Sequence, residues 1–100
     1  MTLVPKHLIQ LAARVRDSGA VNAPEAVLLA GFVRCLELDC DTPVDPDTRA
    51  MAAVVERRAA ASPENARRLA EIVTAQAMKV RAAGSRAFEE IPARRAPEWQ

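Results

Sequence analysis

One hundred residues with a formal charge of +1 suffice for one folded domain, and exclude a chain drawn to nucleic acid or membranes by net charge alone. Half the residues are apolar and 27% are charged, which excludes wholesale disorder. Of the apolar residues 21 are Ala, against three aromatics, Phe32, Phe88 and Trp99. Ala is the strongest helix former and a weak strand former, so the expected fold is all-α, with a thin core that Leu, Ile, Val, Met and Phe must sustain. A core this lean gains from a partner surface or a second copy of the chain.

The first predicted helix runs from about Pro5 to Ser18, with proline at its opening and Gly19 at the left-handed position past its end. Leu8, Leu11, Ala12 and Val15 recur at helical spacing on one face. Asn22 and Glu25 form a capping box for a second helix, apolar almost all round from Ala26 to Leu38 and therefore expected to be central and buried. Gly31 in its middle marks the close approach of another helix.

A loop with two prolines and four aspartates follows, Asp39 to Asp47. Asp45 is the natural cap of a third helix, with Pro46 in its first turn, reaching about Ala60. That helix is expected to bury Met51, Val54 and Val55 and to present Arg49, Glu56 and Arg57 to solvent. Ser62-Pro63-Glu64 opens a fourth, with a stripe of Leu69, Ile72, Val73, Ala77 or Gln76, and Val80, and with Gly84 as its stop. The short link between the third and fourth segments predicts an antiparallel hairpin. Ala87, Phe88 and Ile91 are read as a short extra turn. The expected architecture is a compact four-helix bundle over residues 1–91 and an extended Pro/Arg-containing tail over 92–100.

The catalytic inventory is short. His7 is the only histidine and has no local carboxylate or nucleophile to work with. Cys35 and Cys40 lack the second ligand pair of a zinc site, so Cys35 is expected to fill the core and Cys40 to lie partly exposed at a helix end. The aspartate loop lacks the Gly and Glu of an EF-hand, and capping accounts for Asp45 and Asp47. Neither a catalytic set, a metal site nor a cofactor is expected, and the protein is read as a non-enzyme.

Binding signals are stronger. The pairs Arg57-Arg58, Arg67-Arg68 and Arg94-Arg95 suit phosphate or carboxylate, although Glu56, Glu64 and Glu71 interleave with the first two. Asp41 and Asp45 offer an acidic docking loop to a basic partner. Trp99, beside the Arg94-Arg95 pair, is either a binding hot spot or a filler of the Ala-rich core. The leading expectation is a protein-interaction module, a small regulator, inhibitor or adaptor, that uses Trp99, Arg94, Arg95, Arg57, Arg58, Arg67, Arg68, Asp41 and Asp45. A nucleic-acid-binding regulator using the Arg pairs, and a self-associating structural subunit, are the alternatives.

Charge is mildly asymmetric, with five basic and seven acidic residues over 1–50 and nine and six over 51–100. Twelve of the fourteen basic residues are Arg, which together with the Ala content suggests a GC-rich bacterial or phage genome. A short chain of that origin fits a phage- or mobile-element-encoded inhibitor. The two cysteines make no disulfide framework, no signal-peptide pattern opens the chain, and the uncharged run Ala26–Val33 is too short to span a bilayer. The cytoplasm is the expected compartment.

Overall fold

The computed structural model describes residues 3–36 and 44–95, with side chains described as far as Gly84. Helix α1 (Lys6–Ser18) opens on the Pro5 carbonyl, which accepts from the amides of Leu8 and Ile9 at 3.0 and 3.2 Å. It stops at Gly19, whose left-handed φ of +73° lets its N–H donate back to the Val15 carbonyl at 2.7 Å. A methyl group at Gly19 would sit 3.0 Å from the Arg67 guanidinium carbon and 3.1 Å from Pro63, so this glycine also admits the start of the last helix.

Helix α2 (Ala23–Leu36) begins with the expected reciprocal box. The Asn22 side-chain oxygen accepts from the Glu25 amide, and the Glu25 carboxylate accepts from the Asn22 amide, both at 2.9 Å. The chain bends by 112° between α1 and α2. Helix α3 (Pro46–Arg58) is capped by Asp45, which accepts from the Thr48 amide at 3.1 Å and the Thr48 hydroxyl at 2.6 Å. It ends at Ala59, held at φ +53°. Helix α4 (Pro63–Arg95) is capped by Ser62, whose hydroxyl accepts from the Asn65 amide at 3.2 Å.

The result is an all-α four-helix bundle with no strand among the described residues. Helix α2 touches the other three, α3 lies chiefly against α2, and α1 lies chiefly against α4. The core cluster holds thirteen residues, six of them alanines: Ala12, Ala26, Ala30, Ala52, Ala66 and Ala70. Leu8, Val15, Leu29, Val33, Val55, Leu69 and Val73 complete it. Thr48 and Gln76 are the buried polar side chains, and no buried side-chain polar atom among the described residues lacks a hydrogen-bond partner.

Several expectations are corrected. The third and fourth helices do not pack as a hairpin, because the left-handed turn at Ala59 redirects the chain and α3 lays its buried face, Thr48, Ala52 and Val55, against α2 instead. Met51 and Val54 are accordingly only half-buried. Helix α4 passes through Gly84 without stopping: glycine ends a helix by taking a positive φ, and Gly84 does not take one. The helix continues through Pro92 to Arg95, so 92–95 form its last turn and no separate extra turn exists. Residues 96–100 lie outside the described residues. Finally, Glu56 is half-buried, because the Arg34 guanidinium of α2 donates to it at 2.9 Å.

Helices seated on alanines leave no room for larger groups. Ala30→Leu should lower stability by about 1–3 kcal/mol through overpacking, read as a fall in the urea midpoint. Ala59 is a non-glycine residue in a glycine conformation, so Ala59→Gly should raise stability by about 0.5–1 kcal/mol in the same assay.

Candidate interaction surface

Consecutive helical residues point about 100° apart, so Arg57 and Arg58 on α3, like Arg67 and Arg68 on α4, are divided between two faces. Arg58 and Arg68 line one open groove between α3, α4 and their connection, about 770 Å³ in volume. Met51, Val54 and Val55 from α3 and Ala60 and Ala61 from the connection give it an apolar lining, while Ser62 and Asn65 add neutral polar groups. Arg57 is exposed and does not line it, and Arg67 lies against the Gly19 turn instead.

Arg68 is held in place from beneath. Its guanidinium donates to the Thr48 hydroxyl oxygen at 3.1 Å and lies 3.9 Å from the Asp45 carboxylate. The Thr48 hydroxyl in turn donates to Asp45, so the cap of α3 orients a groove cation. These hydrogen bonds from Thr48, with the Arg68 charge as a lesser cause, hold the Asp45 carboxyl below its ordinary value. Asp45 is therefore a capping and orienting residue beside the groove. Arg94 and Arg95 occupy the last turn of α4, beyond the described side chains, while Asp41 and Trp99 lie outside the described residues.

A second apolar surface was masked in the sequence by the all-round hydrophobicity of α2. Ala26, Leu29, Ala30, Val33 and Leu36 are its buried residues. Pro24, Val27, Leu28 and Cys35 are exposed and Gly31 is half-buried, and helical spacing puts these five on one outward stripe. Leu28 keeps 46% of its surface in solvent. Cys35 is thus exposed rather than buried, because it sits across the helix from Val33. Among the described residues, no neighbouring helix backbone approaches Gly31: the atom of another helix within 4 Å of a methyl group there is a Glu56 carboxylate oxygen, at 3.8 Å.

The stripe's charged neighbours are already paired. Glu25 bonds Arg14 of α1, and Arg34 bonds Glu56 of α3. The Arg14 contact and the Asn22 amide hold the Glu25 carboxyl below its ordinary value. A third apolar patch lies between α1 and α4, where a groove of about 400 Å³ is lined by Val4, Ile9, Thr74, Ala77, Met78, Val80 and Arg81. Met78 there is 67% exposed.

His7 is exposed on α1, and no group of three or more His, Cys, Asp or Glu among the described residues could hold a metal ion. No single described helix is long and apolar enough to cross a membrane. Comparison of the chain with protein-family models, with curated proteins and with solved structures gives no match.

The lowered values of Asp45 and Glu25 set an acid limit. Folding holds both carboxylates below their unfolded values, near 3.8 and 4.5, so the unfolded chain takes up protons first as pH falls. The stability they contribute is complete above those values and is lost as pH drops through the lower folded ones. The thermal midpoint should therefore fall with acidification through this range. The double substitution Asp45→Asn and Glu25→Gln should flatten that acid limb.

Proposed function

We propose that the protein is a non-enzymatic interaction module, a small regulator, inhibitor or adaptor that acts by occupying the surface of a larger protein in the cytoplasm. The observation that carries this reading is the bare outer stripe of α2. The side chains of Pro24, Val27, Leu28 and Cys35 stay exposed along one side of the helix, with Gly31 between them, although the helix is central to the bundle. Isolated exposed apolar residues are ordinary, but a contiguous stripe with no ionisable partner demand is the surface that protein interfaces cover.

Nucleic acid is the weaker reading. Helices α1 and α2, joined through Gly19–Asn22, have the short glycine-containing turn of a helix-turn-helix pair. The face of α2 that would enter a groove carries Val27, Leu28 and Cys35, and its one Arg, Arg34, is paired with Glu56. The division of Arg57 from Arg58 and of Arg67 from Arg68 between faces also argues against a continuous phosphate track along α3 and the start of α4.

The test is affinity capture from nuclease-treated host lysate, using the full chain and the variant Val27→Ser/Leu28→Ser. Both replaced side chains are exposed, so the fold should survive, as circular dichroism would verify. One protein recovered in stoichiometric amount by the parent and lost by the variant is the expected result. Material that disappears with nuclease treatment, or equal recovery by both chains, would overturn the assignment of this stripe to protein binding.

A further inference from the structure

Resting on the interaction-module reading, we infer that the α3–α4 groove is the docking site for an acidic amphipathic helix of the partner protein. Its apolar side chains seat on Met51, Val54 and Val55, and its carboxylates pair with Arg58 and Arg68.

Charge complementarity sets the sign of the occupant. Both ionisable side chains lining the groove are guanidiniums, and none is acidic. Asp45, the carboxylate beside Arg68, approaches it only to 3.9 Å and is itself engaged with Thr48. A guanidinium has five donors, and the two described contacts of Arg68 leave capacity for an incoming carboxylate. The hydrogen bond to Thr48 restricts the half-exposed Arg68 side chain, which lowers the freedom it loses on binding.

The lining sets the chemistry of the rest. A nucleic-acid strand seeks aromatic platforms for its bases, and the described lining of this groove, aliphatic side chains with Ser62 and Asn65, includes no aromatic ring. The groove has helices and a short connection for walls and no sheet edge, so an extended strand finds no strand to pair with, whereas an amphipathic helix can lay its apolar face on Met51, Val54 and Val55. The half-buried Met51 is a flexible side chain suited to adapting to such an anchor. Neither α1 nor α2 of a second copy supplies such a helix: the bare stripe of α2 is uncharged, and the exposed side of α1 carries Lys6, Arg14 and Arg16 against Asp17.

The probe is a fluorescein-labelled synthetic peptide of about 15 residues, four turns of helix, with Leu on one face and Glu flanking it. A matched peptide replaces each Glu with Gln. Fluorescence anisotropy would be measured with the parent chain and with Arg58→Glu, Arg68→Glu and Arg57→Glu, each checked for helicity. The expected result is binding of the Glu peptide that weakens about tenfold or more with Arg58→Glu or Arg68→Glu and with the Gln peptide. Arg57→Glu, with the same change of charge off the groove, should have little effect. Asp45→Asn, which keeps a good cap and removes the competing charge, should tighten binding.

Equal losses at Arg57 and Arg58 would replace the docking site by diffuse attraction and overturn the inference. So would displacement of the peptide by duplex DNA at equal phosphate-to-carboxylate ratio, concentration-dependent dimerisation that blocks the groove, or no binding at all. Failure here together with a protein captured through Val27 and Leu28 would remove the groove assignment and leave the interaction-module reading standing.

Discussion

Alanine contacts set the terms on which this bundle holds together. Six of the thirteen core residues are Ala, and two pairs, Ala26 with Ala30 and Ala66 with Ala70, stand one helical turn apart on their helices. Small side chains allow helix axes to approach closely and keep packing dense, but they remove little apolar area from water per residue. Leu29, Leu69 and the core valines therefore carry most of the hydrophobic stabilisation. The same economy leaves larger groups outside. Val27 and Leu28 on α2 and Ile9 on α1 are exposed while the neighbouring Ala26, Ala30 and Ala12 are fully buried, and Met78 on α4 is exposed as well.

Around that core the polar interactions are local and join one helix to the next. Glu25 closes the capping box of α2 and also receives Arg14 from α1. Asp45 caps α3 and, through Thr48, orients Arg68 of α4. A single carboxylate in each case starts one helix and fixes its relation to another, so cap chemistry and tertiary arrangement are not separable here. Exposed ion pairs of this kind add little stability individually. Their larger effect is geometric, because they neutralise the borders of the α2 stripe and aim a cation into the α3–α4 groove.

The elements that were legible in the sequence are those governed by short-range chemistry. Asn22, Asp45, Ser62 and Gly19 mark their boundaries correctly, because each acts within one turn through its own side chain or its own φ. Gly84 misled because a stop needs the left-handed conformation as well as the residue. Which helices pair was not legible: a short α3–α4 link suggests a hairpin, but the direction the chain takes at Ala59 is a backbone angle that an Ala does not announce. The uniform hydrophobicity of α2 hid its bare side, since periodicity cannot separate a covered apolar face from an uncovered one. For the Arg pairs, adjacency in sequence meant divergence in space, and Arg58 and Arg68, ten positions apart, turned out to share a groove.

Helix α4 is about 50 Å long at 1.5 Å per residue, and the molecule's longest dimension is 59 Å. Its last buried residue among those described is Gln76, and from there to Arg95 the axis rises a further 28 Å or so. A helix of this kind is a ruler. It fixes the separation between the α3–α4 groove and Arg95, and inserting or deleting residues there would change both that span and the rotational phase of the far end.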